Sequence, residues 1–416
     1  MIEYSKAVEI ILNSTKTLGL EKVFLDRALG RVLAEDIHAD RDNPPADNSG
    51  MDGFAVRYED IKGASEENPA VLEIIAESKA GGELVKVEPK TAAYIYTGGL
   101  IPEGADTVVQ KELTKVEDNK VFIFQELPKG SNIRPQGGDY RKGDLLIKKG
   151  KKLRPAEIGI LSSVNKPTVY VYQKPRVAIL TTGDEILDVG EPVEKLSQIR
   201  TSNTYSLYSQ VLEAGGEPVV IGFAKDNPED IQKKLEYAKS CDILLTTGGV
   251  SVGEYDLVKD FVVKVLGVEI LFWKVKQKPG KPVAFGVWGR EKEKLFFGIP
   301  GNPVAAMVVF ENMVKPAIRK MSGEEKVFNP VINAKLKGGY KRKKGERVEF
   351  IRVSLSLTDD GFVAQPFGKQ GSNILTGMVY AHGFGIVDVG ITEIKDGETI
   401  KVSVFDKSFM DGRYGD

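Results

Sequence analysis

At 416 residues the chain exceeds what one hydrophobic core usually serves, so two to four domains are expected. Its 58 Lys and Arg against 59 Asp and Glu leave a formal net charge of −1, which excludes a global pull toward nucleic acid; any bound anion must be captured locally. A single cysteine, Cys241, excludes an internal disulfide framework, and two histidines, His38 and His382, argue against a histidine-rich zinc centre.

Ala7, Ile10, Ile11, Ser14 and Leu18 fall at helical spacing and predict an N-terminal helix over 4–18. The alternating segments VLEIIAES, AAYIYTGG, TVVQKEL and VFIFQEL predict a β-rich domain over 46–139. RPAEIGILSSV predicts a helix with proline in its first turn, packed beside the N-terminal helix; residues 1–45 and 140–175 then form a small mixed helical domain. Over 176–326 the continuous apolar runs RVAILTTG, EPVVIGFA and DILLTTGG alternate with helical segments SNTYSLYSQVLEAGG, NPEDIQKKLEYAKS and YDLVKDFVVKVLG, the signature of an α/β domain with a parallel sheet. Strands VAFGVWG and LFFGIPG follow, then a helix from Asn302-Pro303 to about Met321. Over 327–416 helices vanish, and ERVEFIRVSLSLT, GFVAQP, GIVDVG and ETIKVSVF predict a small β barrel or sandwich. No apolar run approaches membrane-spanning length, so a cytoplasmic protein with no membrane is expected.

Parallel sheets bind ligands at the carboxyl ends of their strands, where loops and helix starts present unpaired N–H groups to anions. Three glycine-bearing loops directly follow apolar strands: Thr181 to Glu185, Thr246-Thr247-Gly248-Gly249-Val250-Ser251, and Ile299-Pro300-Gly301-Asn302-Pro303. One alone reads equally well as a tight turn; three together predict a site for a phosphorylated ligand. Asp184, Glu185, Asp226, Glu254 and Asp256 crowd the same loops, which calls for a hard cation such as Mg²⁺ between them and a phosphate. Asp226 serves equally well as a helix cap. Lys278 and Lys281 flank the proline-stiffened turn KPGKP, suited to clamping an oxyanion. Upstream, Asn43 to Val56 concentrates small and polar residues around Asp52-Gly53.

The ordered set DNSGMDGFAV, YTGGLIPEGAD, NIRPQGGD, TTGDEI, TTGGVSVGEYD, KPGKPVAFG and IPGNPV resembles the molybdopterin molybdenumtransferases, the MoeA family that includes the E domain of gephyrin. The resemblance spans about 4–410. It implies a three-layer, MogA-like α/β domain with a β-rich upstream domain, a mixed helical domain and a C-terminal β-barrel-like domain. The implied activity takes adenylylated molybdopterin and molybdate, releases AMP with Mg²⁺, and places molybdenum on the dithiolene. The implied assembly is a homodimer whose active cleft is shared between subunits, with a molybdopterin adenylyltransferase as a possible partner protein. By motif, Asp52, Thr97, Arg134 and Asp139 face the partner's cleft; Glu185 and Asp256 are catalytic; Glu185, Asp226 and Asp256 hold the metal. Gly248, Gly249, Ser251, Pro300, Gly301 and Asn302 bind the pterin nucleotide, and Lys278, Lys281, Arg352 and Ser372 capture molybdate. Two positions depart from the family: Ala305 stands where many members have serine, and Gly50 where alanine is usual. The competing functions are a molybdopterin adenylyltransferase, which uses the α/β domain alone, and a gephyrin-like scaffold.

Overall fold

The computed structural model describes residues 1–224, 228–248 and 257–410, and the chain divides into two compact units. One comprises Met1–Ala34, Gly150–Arg154 and the residues from Val169 onward; the other comprises Glu35–Lys149 and Pro155–Thr168. Among the described residues no helix is long and apolar enough to cross a membrane.

In the first unit a six-stranded sheet runs in the order Glu217–Ala224, Arg176–Thr182, Ile243–Thr247, Lys294–Ile299, Ala284–Trp288, Glu269–Trp273. The first four strands are parallel, as the strand–helix alternation requires. The last two pairings are antiparallel, so Ala284–Trp288 runs against the parallel strands while Glu269–Trp273 runs with them. No helix intervenes between Trp273 and Lys294, so the chain can only reverse on itself there.

Side chains alternate along each strand, which sorts the apolar runs onto two faces. Val177, Ile179, Ile243, Leu245 and Phe297 meet Leu207 and Val211 of the helix Asn203–Glu213 and Val309 and Ile318 of the later helices. Ala178, Leu180, Leu244 and Phe296 meet Ile231, Leu235 and Val262 on the opposite side. With both faces covered, the continuous hydrophobicity of the strands is accounted for and the domain has three layers.

The N-terminal helix is Tyr4–Ser14, and its Ala7 and Ile11 join the first of these cores. It stops short of residue 18, where Thr15 Oγ1 donates back to the Ile11 carbonyl at 2.7 Å. The helix Pro155–Ser163, expected beside it, belongs to the other unit. The run Pro303 to Met321 is helical as predicted but contains a π-helical segment, Phe310–Val314. Pro316 has no N–H for the carbonyl four residues back, and the widened turn accommodates that gap.

The C-terminal strands Val348–Thr358, Gly361–Pro366, Val331–Leu336, Thr399–Val404 and Gly383–Val387 close into a barrel through the pairing of the first with the last. Closure through this pairing resolves the barrel-or-sandwich alternative. Gln277–Lys278 adds to the barrel by pairing parallel to Val348 and Glu349. The second unit is built on a mixed six-stranded sheet in the order Thr107–Gln110, Gly53–Val56, Thr91–Ile95, Ala70–Ser78, Lys120–Ile123, Thr114–Glu117, around Phe54, Leu72, Val109 and Val121.

Candidate functional site

The strand ends of the α/β domain converge. Thr181 pairs with Thr247, and Thr247 with Ile299, so the three glycine loops emerge side by side. Gly248 has φ +86°, and a Cβ there would lie 2.4 Å from the Thr182 carbonyl oxygen. Only glycine fits there. Asn203, buried at the start of its helix, donates from Nδ2 to Thr247 Oγ1 at 2.7 Å and to the Gly301 carbonyl at 2.8 Å, pinning two loops with one carboxamide. Asn203 was not legible as a site residue, because a helix-start asparagine usually only caps. The buried Thr182 Oγ1, Thr246 Oγ1 and Asn203 Oδ1 have no hydrogen-bond partner among the described residues. Such oxygens cost free energy unless a ligand or ion meets them.

Beside these loops a pocket of about 520 Å³ is lined by the KPGKP turn, Pro300, Asn302, Ala305, Arg347 and the loop Gln370 to Ser372. Buried Gln277 shapes the turn by donating to the Gly280 carbonyl at 2.9 Å. Ser372 is tied in through its carbonyl, which accepts from the Val304 N–H at 3.1 Å. Lys281 and Arg347 make no ion pair among the described residues, whereas Lys278 Nζ lies 2.7 Å from the buried Glu349 carboxylate. Among the described residues the lining supplies three cations and a hydroxyl and no carboxylate, which suits a small multiply charged oxyanion.

In the second unit, Gly53 pairs with Ile95, which sets Asp52 against the turn that follows that strand. A Cβ on Gly53 would lie 2.0 Å from the Val109 carbonyl oxygen, so the residue after Asp52 must be glycine. Asp52 Oδ1 accepts from the Thr97 N–H at 2.7 Å and from Thr97 Oγ1 at 2.9 Å. These two bonds, first the backbone one, hold the Asp52 carboxyl below its ordinary pKa. Arg134 pairs in register with Asn48, and Asp139 Oδ2 accepts from Asn43 Nδ2 at 3.0 Å, so both flank the loop that carries Asp52.

Residues 2–165 match the MoeA N-terminal region (domain I and II), residues 178–320 the probable molybdopterin binding domain, and residues 333–405 the MoeA C-terminal region (domain IV). The chain is 37% identical over 385 residues to the molybdopterin molybdenumtransferase of Nostoc sp., covering 92% of this chain and 88% of that one. It is 36% identical over 407 residues to that of Bacillus subtilis, covering 96% and 93%. The chain belongs to the molybdopterin molybdenumtransferase family. The crystal structure of the molybdopterin biosynthesis moea protein from Pyrococcus horikosii matches with a TM-score of 0.82 at 32% identity, over 98% of this chain and 99% of that chain.

As a molybdenumtransferase of this family the chain is a transferase enzyme of molybdenum cofactor biosynthesis. Of the residues picked from the sequence, Lys278, Lys281, Pro300, Asn302 and Ser372 share the one pocket. Gly248 and Gly301 stand together, a Cβ on Gly301 coming within 3.7 Å of Gly248 Cα. Glu185 is exposed and folds its carboxylate toward Gly183, whose φ is +137°. Asp226, Gly249, Ser251, Glu254 and Asp256 lie outside the described residues.

Arg352 differs from its expected place. It is buried and does not line the pocket; its Nη1 and Nη2 donate to the carbonyls of Gly371 and Lys369 at 3.1 and 2.5 Å. Arg352 therefore holds the loop that presents Ser372. The arginine that lines the pocket is Arg347, hidden in the sequence at the end of the basic run KRKKGER, where nothing distinguishes it from a solvated surface charge.

Proposed function

We propose that the chain transfers molybdenum from molybdate to adenylylated molybdopterin, releasing AMP and forming the molybdenum cofactor. The observation that carries this reading is the convergence of Lys278, Lys281, Arg347 and Ser372 on one pocket beside the glycine loops at the strand ends. Backbone at Gly248 and Gly301 receives the pyrophosphate, where no side chain obstructs its approach. Lys281 and Arg347 supply charge-assisted hydrogen bonds to the tetrahedral oxyanion, and Ser372 supplies a hydroxyl.

The donor set fits a hard cation, since the loops offer the exposed Glu185 carboxylate and the hydroxyls of Thr182 and Thr246, which have no hydrogen-bond partner among the described residues, all oxygen. Among the described residues no group of three acids, histidines or cysteines forms a metal cluster. Glu185 together with Asp226 and Asp256 would hold Mg²⁺. When bound, the ion supplies neutralisation of the pyrophosphate and of the departing AMP. The protein residues keep the anhydride and the oxyanion side by side.

The cluster of Asp52, Thr97, Arg134 and Asp139 completes the cleft of a second subunit in a homodimer. Incubation with adenylylated molybdopterin, molybdate and Mg²⁺ yields AMP and cofactor in equal amounts, and Asp256→Asn abolishes both. Full AMP release by Asp256→Asn refutes the metal role. ATP-dependent adenylylation of molybdopterin would instead establish the adenylyltransferase. Mixing inactive Asp52→Asn and Lys281→Ala subunits restores activity; failure to restore it refutes the shared cleft.

A further inference from the structure

The two lysines of the KPGKP turn are not equivalent. Lys281 is exposed and without an ion pair among the described residues, while Lys278 Nζ lies 2.7 Å from Glu349 Oε1. The cause is strand register: Lys278 pairs directly with Glu349 where the turn joins the barrel. Glu349 is 3% exposed and receives two further donors, Tyr340 OH at 2.9 Å and Arg342 Nη1 at 3.3 Å. Burial first, and then the Glu349 carboxylate, push the Tyr340 phenol upward, so it stays a donor. Arg342 does not depend on Glu349 for its place. Its other donors are held by the carbonyls of Ile391, Arg347 and Asp388 at 2.6 to 2.8 Å.

Lys278 also lines both the oxyanion pocket and an adjoining basic pocket of about 400 Å³ that Glu349 borders. An arriving oxyanion therefore meets two cations without an ion pair among the described residues, Lys281 and Arg347, and a third whose charge is already shared. Drawing Lys278 fully onto the oxyanion would strip a buried carboxylate of one of its donors, a costly exchange.

We infer that Glu349 is a positioning and specificity-determining residue that holds Lys278 back and keeps the oxyanion pocket loose enough for its anion to be passed on. The inference rests on the pocket being the oxyanion site. Its physical basis is that an anion gripped more tightly before transfer, with no matching gain in the transition state, must climb a higher barrier. Removing Glu349 should thus tighten ground-state binding and slow turnover together. A merely structural residue, when lost, weakens both.

The electrostatic part scales with ligand charge, so the gain for a dianion is the square of that for an isosteric monoanion. Tungstate and perrhenate are such a pair. In calorimetric titrations of the full chain at low ionic strength, Glu349→Gln is expected to tighten tungstate by about tenfold and perrhenate by about threefold. Its KM for molybdate falls and its kcat falls with it. Tyr340→Phe removes a bond to the same carboxylate but keeps its charge, and leaves the tungstate-to-perrhenate ratio unchanged. Lys278→Met, at an exposed side chain, provides a second reading that does not depend on Glu349→Gln folding. It weakens tungstate by less than about threefold, against at least about tenfold for Lys281→Ala, whose charge is uncommitted.

Weaker or unchanged tungstate binding in Glu349→Gln, or equal losses in Lys278→Met and Lys281→Ala, overturns the inference while leaving the pocket intact. Unchanged tungstate binding in Lys281→Ala instead overturns the pocket assignment itself.

Discussion

Replacing Arg352 by methionine separates a residue that shapes the pocket from one that touches its ligand. The side chain keeps its bulk but loses the donors to the carbonyls of Lys369 and Gly371. Each bond from a charged donor contributes about 1.5–3 kcal/mol. Relief from burying a cation, which already lowers the Arg352 pKa, offsets part of the sum and leaves a net loss of about 2–4 kcal/mol. Gln370 still holds the Arg352 main chain, through its N–H at 2.8 Å and its carbonyl at 3.1 Å, so the loop loosens without detaching.

The control is Arg347→Met, at a half-buried side chain without an ion pair among the described residues. Its stability should change by no more than about 0.5 kcal/mol, while tungstate affinity falls by about 10- to 150-fold. Urea unfolding, hydrogen exchange at the amides of 369–373 and tungstate titration measure the three quantities. Arg352→Met should lose stability and exchange protection together with affinity. Full stability and protection with lost affinity would make Arg352 a direct ligand and refute the assignment drawn from its buried carbonyl contacts.

Gly53→Ala forces a Cβ to 2.0 Å from the Val109 carbonyl oxygen, and thermal unfolding should show a loss of at least about 2 kcal/mol; an unchanged midpoint would contradict the register around Asp52. Thr97→Val removes one of two donors to Asp52, so carboxyl resonances followed by NMR should show its pKa rising toward the ordinary aspartate value. Because the folded-state value is depressed, the associated stabilisation is present above the unfolded pKa and is lost as pH falls through the folded one. Ala305→Ser adds a hydroxyl to the pocket lining and should tighten tungstate by about threefold or more; no change would place the anion away from that wall.

Much of the architecture was legible because periodicity reports burial. The runs RVAILTTG and DILLTTGG are apolar on both faces only because helices cover both sides of their sheet. The antiparallel end of that sheet was less visible, since a strand reads the same in either direction until its connection is known. Arg352 and Arg347 illustrate the limit for the site. Both lie in ERVEFIRV, five residues apart, and the fold places one against backbone carbonyls and the other at the pocket.

By itself the sequence determined the ordered motifs, the glycines that must sit at strand ends, and the lysines that could meet an oxyanion, because these depend on residue type and local backbone. Tertiary structure alone decided which charges remain available. Lys278 and Lys281 are chemically identical in KPGKP, yet one is matched to a buried carboxylate 71 residues along the chain, as the count from 278 to 349 gives, and the other has no ion pair among the described residues. That difference comes from the pairing of a two-residue strand with a barrel edge, a long-range contact that no local pattern encodes.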